Sequence, residues 1–377
     1  YKVEVTKPAN NTTIVDVVSS GWTYKNPQII RKIKVRFRRS SWSDYAVLTN
    51  EYSHFDSKWD IVGRIMSNTG VHFDGVAYNT VSAGQSSYYD PEEELQRPGV
   101  WTSWPNEYNT DRSSYVFLSG KRFPVVQKDF NGVTVNLNLI KQFAMQPEGT
   151  TINNCTLSGC YFDNQGLGRH IKFREDGKFD ISIIESLFKN SNEIKKEKSG
   201  SLQTFDIPQE GVIFVGGNIW IEGKINNKRV TVVAAILPNQ GTNANIYIGM
   251  DNIEYTNKNG NDVIGLIAQG DFEFSSASKD NFVLNAAVLA QNGRVWKKDY
   301  NPNCCGIGCE ENKNSILIFG SVASNKGLQF TAVKECNSEK SVGFKNKKIE
   351  YDINLLYYPP PFFPSDTYYV FDLWEEI

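Results

Sequence analysis

Apolar and polar positions alternate with a period of two through most of this chain, and shift to a helical period in one clear place. In "IIRKIKVRFRR" the alternation puts Ile33, Val35 and Phe37 on one face and Lys32, Lys34, Arg36 and Arg38 on the other. That is the pattern of an antiparallel strand with one buried and one solvated face. "KVEV" and "TTIVDVVSSGWTY" precede it, so the first 50 residues read as a meander of strands. "NLNLIKQFAMQ", Asn136 to Gln146, carries the helical spacing, with Leu137, Ile140 and Phe143 or Ala144 on one side. "HIKFREDGKFDISII" reads as a hairpin around Asp176-Gly177. Lys189 to Ser201 is polar and charged and is expected to be an exposed loop.

From Gly211 to Phe330 short apolar strands follow one another, joined by short turns containing Gly or Asn. Crossover helices do not fit in turns of that length, which leaves a sandwich or a β-solenoid. A repeated phrase favours the solenoid. "IVGRIMSNTGVHF" (Ile61 to Phe73) returns as "IFGSVASNKGLQF" (Ile318 to Phe330), with weaker copies in "VIGLIAQGDFEF" (Val263 to Phe274) and "LNAAVLAQNGRVW" (Leu284 to Trp296). The copies at Gly265 and Ala286 are spaced by about one coil of a parallel β-helix. Gly63, Gly265, Ala286 and Gly320 are then the small residues where coils approach closely. Asn68, Gln269, Asn292 and Asn325 are the corner residues, whose amides can hydrogen-bond from coil to coil. The copy at Ile61 is expected to stack with the others despite the long insertion between them.

Composition narrows the chemistry. The 377 residues carry a net charge of −2, so no global field draws nucleic acid or anionic lipid. Aromatic residues make up 13%, which suits a β-rich fold with aromatic-covered ends. The six cysteines, Cys155, Cys160, Cys304, Cys305, Cys309 and Cys336, suit disulfides in an oxidising compartment, with a metal site or free thiols as alternatives. Cys155 with Cys160, closing "CTLSGC", is the one pairing the spacing favours.

The three histidines, His54, His72 and His170, show no metal-ligand spacing and read as ordinary surface residues. No catalytic residue, metal ligand or cofactor motif is assigned. Polysaccharide cleavage on a β-helix would need a close carboxylate pair, for which Asp271 with Glu273, or Glu92 with Glu94, are the candidates; the simpler reading is solvated carboxylates, since no neighbouring coil repeats an acidic position or adds a basic clamp. Lys32, Lys34, Arg36 and Arg38 are candidate contacts to DNA phosphates, against the simpler reading of a solvated face paired with the acidic C-terminus at Asp372, Glu375 and Glu376.

The ordered series "RKIKVRFRR", "VGRIMSNTGVHFDGVAYNTV", "FPVVQKDFNGVTVNLNLIK", "GVIFVGGNIWIEGKI", "GLIAQGDF" with "NAAVLAQNG", and "YYPPPFFPSDTYYVFDLWEE" resembles pilus-assembly proteins of the PilX type, which are minor-pilin-like proteins of type IV pilus systems. The resemblance spans roughly residues 60 to 377. It implies a globular domain displayed outside the cell on a pilus, other pilin subunits as partners, no catalytic residues, and membrane contact only through a hydrophobic N-terminal helix absent from this chain.

Together these readings predict a mainly β protein: a right-handed parallel β-helix (β-solenoid) inserted into a small antiparallel pilin-like sheet formed by both chain ends. The sheet takes residues 1–52 and 364–377, and the solenoid takes 53–363 with loop, helix and hairpin insertions at about 91–210. The expected role is a non-catalytic structural or adhesive subunit of a type IV pilus-like surface filament, with a surface glycan or DNA as candidate further partners. The alternatives are a secreted β-helix enzyme acting on polysaccharide, or a DNA-binding tip pilin.

Overall fold

The computed structural model describes residues 1–6, 14–103, 113–145, 152–209, 211–238, 241–298, 312–334 and 337–377. Cys304, Cys305, Cys309 and Cys336 lie outside these. The fold is mainly β, a parallel solenoid joined to a four-stranded antiparallel sheet.

The antiparallel sheet is built from both chain ends. Lys2–Thr6, Ile14–Thr23 and Asn26–Arg38 form the meander, and Val370–Glu376 returns to pair with the last of these. The acidic ending and the basic strand thus become neighbours, as their opposite charges favour.

The solenoid stacks strands in parallel, coil upon coil. One column runs Cys160–Phe162, Val212–Val215, Arg229–Ala234, Val263–Ala268, the second half of Asn281–Ala290 and then the second half of Asn312–Ser324. The next strand in the stack is Val47–Thr49, from the start of the chain, followed by Ile65–Ser67, Val81–Ala83 and Lys121–Arg122. On another side Asn337–Tyr351 pairs with Trp59–Val62, so Ile349 faces Ile61. The copy of the phrase at Ile61 therefore stacks beyond the copy at Ile318, and the solenoid continues through a junction between distant parts of the chain. It takes the chain from Val47, a few residues before the 53 expected from the sequence. It also includes Cys160–Phe162 and Arg169–Phe173, inside the stretch expected to be insertion.

Inward residues stack on their counterparts in the next coil. Phe274 meets Phe282, Phe330 and Phe344 edge-on, and Phe55 packs on Phe73 and Trp59. Such offset and edge contacts suit the ring quadrupoles. A second apolar layer lies outside the coils. Helix Val133–Ala144 buries Leu137, Ile140 and Ala144 against Val212 and Phe214, on the face its spacing predicts. The proline run lies over Gly265, where a side chain would meet Pro360 Cβ at 2.7 Å and Thr231 Oγ1 at 2.8 Å.

Two local expectations are corrected. Gly265 pairs with Ala287, not Ala286, because its copy of the phrase is one residue shorter before the corner; Ala286 pairs with Gly320. Lys189 to Ser201 is not simply a loop: Ile194–Glu197 forms an edge strand antiparallel to Lys178–Leu187.

Candidate functional site

The antiparallel sheet presents two unlike faces. Cross-strand register puts Val3, Val5, Val17, Val35, Phe37 and Phe371 on the same side, with Ile33 and Trp374 continuing it. Val3, Val5, Ile33, Phe371 and Trp374 are exposed. The opposite side carries the basic residues, most of them ion-paired within the sheet. Arg36 makes a two-pronged contact to Asp16 (2.8 and 3.2 Å), which holds the Asp16 carboxyl below its ordinary value. Lys34 lies 3.4 Å from Asp16 and 3.2 Å from Glu375. Arg38 is buried against Asp44 and sits 3.5 Å from Asp372. Lys32 is exposed on the same side. Of the four candidate phosphate contacts, three are thus already engaged by carboxylates.

A second site lies on the flank of the solenoid near its N-terminal coils. Parallel register stacks His54 on His72 and His72 on Trp101, with ring centroids 4.2 and 4.1 Å apart. The hairpin of Ser87–Asp90 and Leu95–Pro98 folds over this column and supplies Tyr88, Asp90 and Glu92. His54 Nδ1 lies 2.5 Å from Glu92 Oε2, and His72 Nδ1 lies 3.3 Å from Asp90 Oδ2. Both Nε2 atoms turn towards Asp74 Oδ2, at 3.7 Å from His54 and 3.1 Å from His72. Asp90 is completely buried and accepts from Tyr88 Oη (2.9 Å) and Trp101 Nε1 (3.1 Å). Burial pushes Asp74 up, but the nearby His54 and His72 rings and the hydrogen bonds from Ser103 outweigh it and leave its carboxyl far below the usual range. Burial opposes charge on His54, while Asp74 and Glu92 raise its pKa overall. His72, expected at the surface, is 3% exposed. His54, His72 and Glu92 each offer a ligand atom within 4.8 Å of the others. Sequence reasoning missed this group, although "SHF" and "VHF", one coil apart, place a histidine before the same inward Phe.

The third polar group follows one outward column of the solenoid. Register aligns His170, Trp220, Tyr247, Glu273, Trp296 and Gln329 in successive coils. Trp220 stacks on Tyr247 at 4.4 Å. The turn at Asn192 covers the column: its carbonyl accepts from Trp220 Nε1 (2.6 Å) and its amide donates to Glu273 Oε1 (3.1 Å). Glu273, one of the carboxylates considered for catalysis, is 4% exposed beneath that cover, and Asp271 accepts from the backbone of Arg294. Burial, opposed by Lys298 and helped by Asp271, pushes Glu273 up to about 7. His170 sits 2.6 Å from Glu197 and 3.6 Å from Glu222. Burial lowers its pKa, but the two carboxylates raise it more.

These shifts have one sign for stability. Glu273 folds more favourably protonated, so its contribution is present below its ordinary 4.5 and lost as pH rises through about 7. His170 folds more favourably charged, so its contribution is present below 6.5 and lost as pH rises through its higher folded value. Glu273→Gln keeps an acceptor for Asn192 and removes the charge. We expect it to stabilise the protein by about 2 kcal/mol at alkaline pH, with the gain vanishing in mild acid. Chemical denaturation of both proteins across that range checks this; a gain independent of pH would contradict it.

The corner residues form a partial ladder. Asn325 Oδ1 accepts from Asn50 (3.0 Å), and Asn50 Oδ1 accepts from Asn68 (2.8 Å). Asn50 belongs to this column although no copy of the phrase contains it. Gln269 instead accepts from the backbone of Ile236, and Asn292 donates its backbone N–H to Gln269 O. Gly63 and Gly320 both sit at positive φ on either side of Tyr351. Cys155 and Cys160 form a disulfide.

No protein-family model matches the chain, and no curated protein matches its sequence. Among solved structures it is similar to the crystal structure of the competence-associated pilin ComZ from Thermus thermophilus. The identity is 13% over 97% of this chain and 81% of that one, with a TM-score of 0.32. A likeness at that level transfers no function.

Proposed function

We propose that this chain is the globular part of a non-catalytic structural subunit of a type IV pilus-like surface filament, assembled with other pilin subunits. The observation that carries this reading is the open sheet closed by both chain ends, with Val3, Val5, Ile33, Phe371 and Trp374 exposed along one face. A sheet with an apolar face gains stability by burying it against another element. The resemblance to PilX-type proteins implies an apolar N-terminal helix, and this is the surface such a helix would cover. The solenoid then hangs from the sheet as the displayed domain. Ion-pairing of Lys34, Arg36 and Arg38 supports a structural reading of the basic strand over a phosphate-binding one. No helix among the described residues is long and apolar enough to cross a membrane.

The test is a double substitution on that face, Val5→Lys with Phe371→Glu, in the full-length protein in the cells that make it. Both sites are exposed, so the isolated domain should keep its melting temperature, within the roughly 0.5 kcal/mol typical of surface changes. Recovery of the subunit in sheared filaments should fall more than about tenfold, since polar groups buried against an apolar helix cost several kcal/mol. Wild-type recovery in filaments would overturn the proposal.

A further inference from the structure

The His54–His72 column is built like a ligand site, on solenoid strands and not on the antiparallel sheet. His72 is buried, and neither of its ring nitrogens is aligned for a hydrogen bond, although Asp74 and Asp90 lie within 3.3 Å. Burying an imidazole without hydrogen bonds is costly, and a bound ion is one partner that would satisfy such a ring. The orientation of the two rings points the same way. Both Nε2 atoms face one carboxylate, Asp74, which can hold both as N–H donors. With a metal bound, that tautomer aims both Nδ1 lone pairs to the other side, towards Glu92 and Asp90; the proton that the 2.5 Å contact places between His54 Nδ1 and Glu92 leaves to solvent as the ion enters. A carboxylate behind each imidazole, fixing its tautomer and raising its basicity, is the usual support of a metal-bound histidine.

We propose that His54 Nδ1, His72 Nδ1 and Glu92 bind a divalent transition metal of the Zn2+ type, with Asp74 as the orienting carboxylate. Asp90 stands beside the site, held by Tyr88, Trp101 and the backbone N–H groups of Glu92 and Glu93, and can serve as a fourth ligand or support. Imidazole nitrogens favour Zn2+, Co2+, Ni2+ or Cu2+ over Mg2+ and Ca2+, which take oxygen ligands. Charge agrees: Asp74, Asp90 and Glu92 gather three carboxylates around the two rings, and a divalent cation offsets two of their charges. The site is also reachable. Glu92 and His54 are partly exposed, and their 2.5 Å contact need only open by the width of an ion. Binding would tie the hairpin of Ser87–Asp90 and Leu95–Pro98 to the coils beneath it, since Glu92 lies in its turn and both histidines in the coils.

The test titrates metal-stripped protein with ZnCl2 by calorimetry and with CoCl2 by absorption, comparing wild type with His54→Gln and Glu92→Gln. Both substituted residues are partly exposed, so the variants should fold, and far-ultraviolet circular dichroism verifies it. Wild type should bind one equivalent more than either variant, or bind it at least about tenfold more tightly, the usual cost of losing a ligand or its support. The Co2+ complex lost in the variants should show no thiolate-to-metal charge-transfer band, which separates it from metal held by the cysteines. MgCl2 should not compete. Equal uptake by all three proteins, no Zn2+ uptake by wild type, or a charge-transfer band that disappears with His54→Gln would each overturn the assignment. None of these outcomes bears on filament incorporation.

Discussion

Gly320→Val should destabilise the protein by about 4 kcal/mol or more, among the largest effects a single substitution produces. Gly320 sits inside the strand Asn312–Ser324 with φ of +150°, a conformation side chains rarely adopt. A Cβ there would overlap the Ala286 carbonyl, with its carbon only 2.6 Å away. The obstacle is backbone and cannot turn aside as a side chain could. Relief would require the strand to shift, yet it is paired on both sides, with Asn281–Ala290 and with Asn337–Tyr351. It also lies at the junction where the C-terminal coils meet the coil beginning at Val47, so a shift would disturb the stack where it depends on long-range pairing. Gly21→Ala is the control, because nothing lies within 4 Å of a Cβ at Gly21. It should change stability by less than about 0.5 kcal/mol. Thermal and denaturant unfolding of the two variants beside the wild type would check both. A Gly320 variant as stable as Gly21→Ala would mean that the coils are not packed at this register.

The same residue marks what could be read from the sequence. The repeated phrase announced the solenoid because each coil must solve the same packing problem, and Gly320 opposite Ala286 is one instance of the solution. Charge and alternation were enough to bring Val370–Glu376 back to the basic strand, because the pairing depends on features local to each segment. The helix at Val133–Ala144 was equally local. What was not legible depended on register between distant coils. Gly265 slipped by one residue because its corner is shorter, a difference that has meaning only against its neighbours. The edge strand Ile194–Glu197 has no apolar pattern to betray it, since its place is fixed by pairing with Lys178–Leu187. The His54–His72 group needed three separate facts: parallel stacking in register, a hairpin folded back over it, and the turn that carries Asp74. Histidines 18 positions apart look unrelated until the coil period is known, and Glu92 joins them only through a hairpin that the irregular stretch after residue 90 concealed.

Removing one partner of the Arg38–Asp44 pair should cost about 3–5 kcal/mol, and the damage should fall on the sheet. Arg38 ends the basic strand and is 7% exposed; Asp44 ends the short 3-10 turn Trp42–Asp44 and is 2% exposed. The pair therefore sits where the chain passes from the sheet into the solenoid. Asp44→Ala leaves a buried guanidinium with Asp372 as its other ion-pair partner, at 3.5 Å. Arg38→Met leaves a buried carboxylate facing Arg64 at 3.8 Å. The double variant Arg38→Met with Asp44→Leu exchanges the pair for apolar packing and should recover most of the loss, because a buried ion pair gains little over hydrophobic residues of similar size. Hydrogen exchange separates this local effect from global unfolding. In each single variant, amides of Ile14–Thr23, Asn26–Arg38 and Val370–Glu376 should lose protection while those of Val263–Ala268 keep theirs. Since the sheet carries the apolar face proposed to enter the filament, such variants should also assemble poorly although the solenoid remains folded. If protection fell equally in sheet and solenoid, the pair would support the whole fold and not the joint between its two parts.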